Sequence, residues 1–135
     1  MFDKKLTIIS EYPNSDEIKD GMMQRVANID EYMTDKKRIY LGISFRRNIF
    51  KKSENIKSGL IEYRINIFIH YLFIFKILKN SNTIYVHSVY NFLNLLPFII
   101  FLKNKNLILD FHGVVPEELE YMKKYFKSIF LTYVE

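Results

Sequence analysis

Asp110, His112 and Gly113 close an apolar run in the stretch LILDFHG, and Pro116 with two glutamates follows after two valines. An imidazole titrates near neutral pH and both donates and accepts hydrogen bonds, so His112 is suited to contact a reacting substrate. The Asp110 carboxylate is suited to bond loop amides or the start of a neighbouring helix. We expect a site at a strand end with His112 as its candidate catalytic residue, and a histidine that only closes the loop is the alternative.

Other polar residues follow apolar runs in the same way. LTIIS ends before Tyr12, and TIYVH ends in His87 and Ser88, of which Ser88 is a typical helix N-cap. Gly21 would let a helix start approach a phosphate, although one glycine is also an ordinary helix start. Ligands of open parallel sheets bind beyond the carboxyl ends of the strands. The predicted substrate-binding residues are therefore Tyr12, Gly21, His87, Ser88, Asp110 and Gly113.

The composition excludes several kinds of chemistry. The chain contains 135 residues, enough for one domain, and no cysteine, which rules out disulfides, thiolate metal sites and cysteine nucleophiles. The spacing of its histidines and carboxylates does not require a metal site, and no P-loop or nucleophile-elbow pattern is present. No metal and no cofactor is predicted.

A basic cluster interrupts the chain after the second apolar run. Arg46, Arg47, Lys51 and Lys52 alternate with Phe45 and Phe50, in a chain of net charge +5. Such a cluster suits an anionic lipid surface, and a solvated loop is the alternative. The longest apolar segments are shorter than the roughly 18 to 20 residues that cross a bilayer. We expect a cytoplasmic protein. If the protein is a peripheral membrane protein, we expect the basic cluster to face the inner surface of the membrane.

Apolar runs of strand length alternate with segments of helical periodicity. The predicted strands are Leu6–Ser10, Arg38–Phe45, Thr83–His87, Asn106–Phe111 and Ser128–Val134, with a short hairpin strand at Asn48–Phe50. The predicted helices begin at Gly21, span Leu60–Lys79, span Val89–Lys103 with an interruption at Pro97, and span Pro116–Lys127. Within Leu60–Lys79 the odd positions from Ile65 to Ile77 are all apolar, as in a strand, but the segment is too long for one and Glu62, Asn66 and His70 repeat at helical spacing. This alternation predicts an α/β fold with a mostly parallel sheet covered on both faces.

Three motifs in this order, IISEYPN…DGMMQR, TIYVHSVYNFLNLLP and LILDFHGVVPEE, resemble the N-terminal domain of bacterial GT-B glycosyltransferases of the retaining family 4 type. The resemblance implies a Rossmann-like three-layer α/β/α sandwich, the N-terminal half of a GT-B fold. It implies that His112 reaches the donor sugar, that the loop ending at Gly21 lies near the acceptor and the donor phosphates, and that His87 and Ser88 border the acceptor.

The same resemblance implies a function in two halves. The chain would bind the acceptor, a glycan or a lipid-linked glycan of surface polysaccharide or lipopolysaccharide synthesis, and a nucleotide-sugar donor would bind a C-terminal domain that is absent from these residues. The chain alone is then expected to be inactive, as a fragment or as one subunit of a split, membrane-peripheral transferase. Nucleic acid is not an expected partner. A non-catalytic, flavodoxin-like binding module and a membrane adaptor are the alternatives.

Overall fold

The computed structural model describes residues 5–13, 21–33 and 37–110, which form one six-stranded sheet and its covering helices. The strands are β1 (Leu6–Ile9), β2 (Arg38–Ser44), β3 (Lys52–Lys57), β4 (Leu60–Asn66), β5 (Thr83–His87) and β6 (Asn106–Asp110). The helices are α1 (Gly21–Glu31), α2 (Tyr71–Asn80) and α3 (Val89–Leu95), and a 3-10 helix spans Leu96–Leu102. None of the helices in these ranges is long and apolar enough to cross a membrane.

The strand order is β3-β4-β2-β1-β5-β6, and every neighbouring pair is parallel except β3 with β4. Without β3, the parallel strands numbered along the chain lie in the order 3-2-1-4-5, which is the Rossmann order. The flavodoxin-like order, 2-1-3-4-5, is not the one these strands adopt. From β1 the chain adds β2 and then β4 on one side of the sheet, and later adds β5 and β6 on the other side of β1. The strand order therefore reverses between β1 and β5.

Two apolar cores cover the two faces of the sheet. On one face, Val26 of α1 packs with Leu6, Ile8, Tyr40 and Tyr85. On the other face, residues of α2, α3 and the 3-10 helix pack against alternate residues of the central strands, a cluster that includes Ile9, Leu41, Ile74, Leu78, Ile84, Val86, Leu95 and Phe98. Alternate side chains of a strand point to opposite faces, which is why neighbours such as Ile8 and Ile9 belong to different cores. The predicted mostly parallel α/β sandwich is confirmed.

The predicted helix at Leu60–Lys79 is wrong in its first half. Residues 60–66 form β4, which pairs with β2 from Arg38↔Leu60 to Ser44↔Asn66, and only α2 is helical. The turn at Gly59, with φ +79°, reverses the chain between β3 and β4. That left-handed conformation suits glycine and permits a tight hairpin. Of the apolar odd positions from Ile65 to Ile77, Ile65 lies in β4, and the others lie in the turn at 67–70 and in α2.

Other boundaries differ less. The predicted hairpin strand at Asn48–Phe50 lies instead at β3, and the helix predicted through Pro97 is divided into α3 and the 3-10 helix. The remaining predicted strands agree with β1, β2, β5 and β6 within one residue at their ends. The predicted helix at Pro116–Lys127 and the predicted strand at Ser128–Val134 lie outside the described residues.

A buried ion pair fixes α1 to β2 at the amino end of the parallel strands. Arg38 donates from Nε to Asp30 Oδ1 over 2.5 Å and from Nη2 to Asp30 Oδ2 over 2.8 Å. The Tyr40 hydroxyl donates to the same carboxylate over 2.9 Å. The hydrogen bond to Asp30 raises the pKa of Arg38, and burial raises that of Tyr40. This ion pair therefore fastens α1 to the first residue of β2.

Candidate functional site

Two of the predicted site residues, His87 and Asp110, are direct neighbours at the carboxyl end of the sheet. They end β5 and β6 and are paired in register. His87 Nδ1 lies 3.8 Å from Asp110 Oδ2, and Arg25 of α1 donates from Nη2 to Asp110 Oδ1 over 3.3 Å. The Tyr85 hydroxyl donates to Asp110 Oδ2. We call Arg25, Tyr85, His87 and Asp110 the β5–β6 cluster.

The electrostatics of the β5–β6 cluster centre on the Asp110 carboxylate. One of its oxygens faces the Arg25 guanidinium, and the other accepts from Tyr85 and faces His87. Burial raises the pKa of Tyr85, with further contributions from the hydrogen bond to Asp110 and its charge, so Tyr85 remains a donor. The 3.8 Å between His87 Nδ1 and Asp110 Oδ2 is longer than a hydrogen bond. Arg25 and Tyr85 therefore fix the Asp110 carboxylate, and β5–β6 pairing places it beside the buried His87 ring.

Ser88 caps α3, as predicted, and does so in a strained backbone conformation. Its hydroxyl accepts from Asn91 N over 3.4 Å, and its own N–H donates to Asp110 O over 3.1 Å. Its φ and ψ are 79° and 155°, a region that is essentially restricted to glycine. Such strain costs on the order of 1–3 kcal/mol and is concentrated at functional sites. In this conformation the Ser88 N–H bond to Asp110 O holds the start of α3 beside the carboxyl end of β6.

Tyr12 does not join this group, because it lies on the other side of β1. Its N–H donates to Glu62 Oε1 of β4 over 2.8 Å, and its ring contacts the Tyr40 ring edge to face with centroids 5.1 Å apart. Arg64 donates from Nε to the same Glu62 oxygen over 3.0 Å. Glu62 is buried, so it anchors both Tyr12 and Arg64 to the sheet.

Glu11 completes this second group by crossing over Gly42 of β2. Glu11 Oε2 lies 3.6 Å from Arg64 Nη1. A Cβ built on Gly42 would lie 2.7 Å from Glu11 Cγ, so the glycine is what lets the Glu11 side chain pass. We call Glu11, Tyr12, Glu62 and Arg64 the Glu–Arg cluster. An open cleft of about 600 Å³ adjoins it, lined by Glu62, Arg64 and residues 51–54.

The remaining predicted residues are distributed as follows. Gly21 begins α1 as predicted, but it is exposed and no atom of the described residues lies within 4 Å of a Cβ built on it, so the space around it does not require glycine. Arg46 and Arg47 are exposed in the β2–β3 loop, Lys52 begins β3, and Lys51 Nζ lies 4.4 Å from the centroid of the Phe73 ring. His112 and Gly113 lie outside the described residues, and their roles stay predictions.

The structure adds functional candidates that sequence reasoning missed. Glu62 and Arg64 were assigned to a helix. In the strand β4 their side chains instead point to the face of the sheet that the Glu11 side chain crosses at Gly42. Arg25 and Tyr85 lie within the quoted motifs DGMMQR and TIYVHSVY, but neither was singled out as a site residue. The pairing of β5 with β6 brings Tyr85 to Asp110, and the position of α1 brings Arg25 there. A period-two interpretation of residues 60–66 would have identified Glu62 and Arg64.

Within the part of the chain that the structure describes, no three histidine, cysteine, aspartate or glutamate residues converge as metal ligands. Searches of protein-family models, of curated proteins and of solved structures find no match to this chain.

Proposed function

We propose that this chain forms the acceptor-binding half of a sugar transferase, which moves a sugar from a nucleotide-sugar donor to a glycan or lipid-linked glycan. The observation that carries the proposal is the pair of charged clusters flanking the end of β1, at the point where the strand order reverses. Open α/β sheets bind ligands at this point. The three sequence motifs that resemble family 4 transferases support the same function, and the donor then binds a second, donor-binding half.

The Glu–Arg cluster is the part of the edge best suited to a polyhydroxylated ligand. The side chains of Glu11 and Arg64 are 41% and 25% exposed, so both present polar atoms to solvent while the buried Glu62 holds Arg64 in place. Fixed donors and acceptors of this kind orient ligand hydroxyls in a mostly pre-formed site. Glu11 would accept a hydrogen bond from an acceptor hydroxyl, and Arg64 would donate to a neighbouring oxygen.

The β5–β6 cluster borders the same edge from the other side of β1. In the assembled transferase, His87 and Ser88 would position the acceptor, and His112 would hydrogen-bond the transferred sugar. Catalysis would then rest on holding the acceptor hydroxyl close to the donor and on stabilising the departing nucleotide diphosphate. Half of the cleft supplies only the first of these effects, so the chain by itself is expected to bind acceptors without transferring sugar.

The test is NMR titration of the 135-residue chain with glucose, galactose and their disaccharides, and separately with uridine and guanosine diphosphate sugars. We expect weak sugar binding with shift changes around Tyr12 and Gly42, and no micromolar binding of the nucleotide sugars. Gly42→Ala, which displaces Glu11 without changing the net charge, should reduce those shift changes. The exposed Lys103→Gln variant serves as the control.

Two results would overturn the proposal. Micromolar binding of a nucleotide sugar by the chain alone would mean that it holds a donor site. Sugar-induced shifts that avoid the carboxyl edge, or that are unchanged by Gly42→Ala, would mean that the Glu–Arg cluster does not bind the acceptor.

A further inference from the structure

Two loops at the carboxyl end of the sheet expose large apolar side chains side by side. The first is residues 45–52, between β2 and β3, and the second is residues 67–72, between β4 and the first turn of α2. Phe50, Phe68 and Leu72 are 84%, 74% and 79% exposed. The rings of Phe45 and Phe68 lie with centroids 5.9 Å apart, so the two loops form one surface. We call this surface the basic–apolar edge.

The buried Asn66 holds both loops in place. Its Nδ2 donates to Phe45 O over 2.9 Å and to Arg47 O over 3.1 Å. Its Oδ1 accepts from Phe68 N over 3.0 Å, and the Ser44 hydroxyl adds a bond to Arg47 O over 2.7 Å. The exposed apolar side chains are therefore carried on fixed backbone, and a binding partner need not order the loops first.

The two loops carry charge of one sign, and the carboxylates of Glu54 and Glu62 line the cleft beside Lys51 and Lys52. Residues 45–52 read FRRNIFKK and residues 67–72 read IFIHYL, so the two loops contain Arg46, Arg47, Lys51 and Lys52 and not one carboxylate. Lys51 lies over the rings of Phe73 and Tyr63, with Nζ 4.4 Å and 5.8 Å from their centroids. Basic groups interleaved with exposed aromatic and aliphatic side chains match the interface of an anionic bilayer, where charge attracts and apolar groups enter the headgroup region.

We propose that the basic–apolar edge binds the surface of an anionic phospholipid membrane, with Phe50, Phe68 and Leu72 entering the headgroup region and the four basic side chains contacting lipid phosphates. A second copy of the chain fits this surface poorly, because a two-fold contact would bring the basic residues of one copy against those of the other. The edge is at the same end of the sheet as the Glu–Arg cluster. A membrane at this end of the sheet would agree with an acceptor that is lipid-linked. Membrane binding itself requires no substrate and does not depend on the proposed transferase function.

The test is co-sedimentation with vesicles of phosphatidylcholine alone and of phosphatidylcholine mixed with phosphatidylglycerol. We expect binding only to the mixed vesicles, decreasing with added salt as the charges are screened. Arg46→Gln/Arg47→Gln should weaken partitioning roughly 10- to 30-fold, from a factor of about five per basic residue. Phe50→Ser/Phe68→Ser should weaken it by roughly tenfold or more, because the apolar groups no longer enter the interface.

Matched controls lie at the opposite end of the sheet. Lys79→Gln/Lys103→Gln removes the same charge from exposed positions at the amino end of the strands, and Tyr32→Ser removes an exposed aromatic side chain at the end of α1. Both should bind vesicles like the unchanged chain. Circular dichroism checks that every variant is folded. The proposal is overturned if the chain does not bind the mixed vesicles at low salt, or if the control variants bind them as weakly as the edge variants. It is also overturned if the edge variants instead abolish self-association measured by sedimentation velocity.

Discussion

Replacing Ser88 tests whether backbone strain is stored at the carboxyl end of β5. Ser88→Gly removes the cost of holding a side-chain-bearing residue at φ 79° and ψ 155°. Ser88→Ala keeps that cost and also removes the hydroxyl that accepts from Asn91 N. The two variants thus separate strain from capping at a single position, and we expect them to change stability in opposite directions.

The expected magnitudes follow from three terms. Relief of strain at Ser88 contributes on the order of 1–3 kcal/mol in favour of the glycine variant. The greater freedom of glycine in the unfolded chain costs about 0.5–1 kcal/mol, and exchanging the serine cap for glycine costs a few tenths. The glycine variant should therefore gain about 1 kcal/mol, whereas the alanine variant should lose about 1 kcal/mol through the missing cap.

Urea unfolding followed by far-ultraviolet circular dichroism measures both free energies of unfolding under the same conditions. A glycine variant that is no more stable than the alanine variant would refute the assignment of strain to Ser88. If Ser88→Gly is more stable but binds sugar less well in the NMR titration, the strain also serves to position the start of α3.

Two further predictions concern buried groups. Asp30→Ala should lower the free energy of unfolding by about 3–5 kcal/mol, because it leaves the Arg38 charge buried without its carboxylate. The double variant Asp30→Leu/Arg38→Met should recover most of that loss. A loss below about 1 kcal/mol in urea unfolding would contradict the buried ion pair. Burial raises the pKa values of Tyr40 and Tyr85 above the ordinary value of 10.0, so their contribution to stability is complete below about pH 10 and is lost as the pH rises through the raised values. Spectrophotometric titration of tyrosinate should show at least two of the ten tyrosines ionising later in the folded chain than in urea, and ten equivalent tyrosines would disprove the raised pKa values.

Local patterns predict most of the individual strands and helices of this chain. Short apolar runs predicted β1, β2, β5 and β6. For β1, β2 and β5, which are largely buried, the reason is that a strand buried on both faces needs a continuous apolar sequence, whereas β6 is partly exposed. Prediction failed at residues 60–66, where polar Glu62, Arg64 and Asn66 alternate with apolar residues and a long apolar segment follows. That pattern fits a strand or the start of a helix, and only pairing with β2 decides for the strand.

The order of the strands, which local sequence does not encode, decided the composition of the candidate site. The sequence placed Tyr12, His87 and Asp110 at strand ends, but β1 lies between β2 and β5, so Tyr12 turns toward Glu62 while His87 and Asp110 lie together on the other side. The partners that complete each group are distant in sequence: Tyr12 and Glu62 are 50 residues apart, and Arg25 and Asp110 are 85 apart. Residue type and position at a strand end are thus set by the sequence itself, whereas the charge that each side chain meets is set by which strands and helices pack beside it.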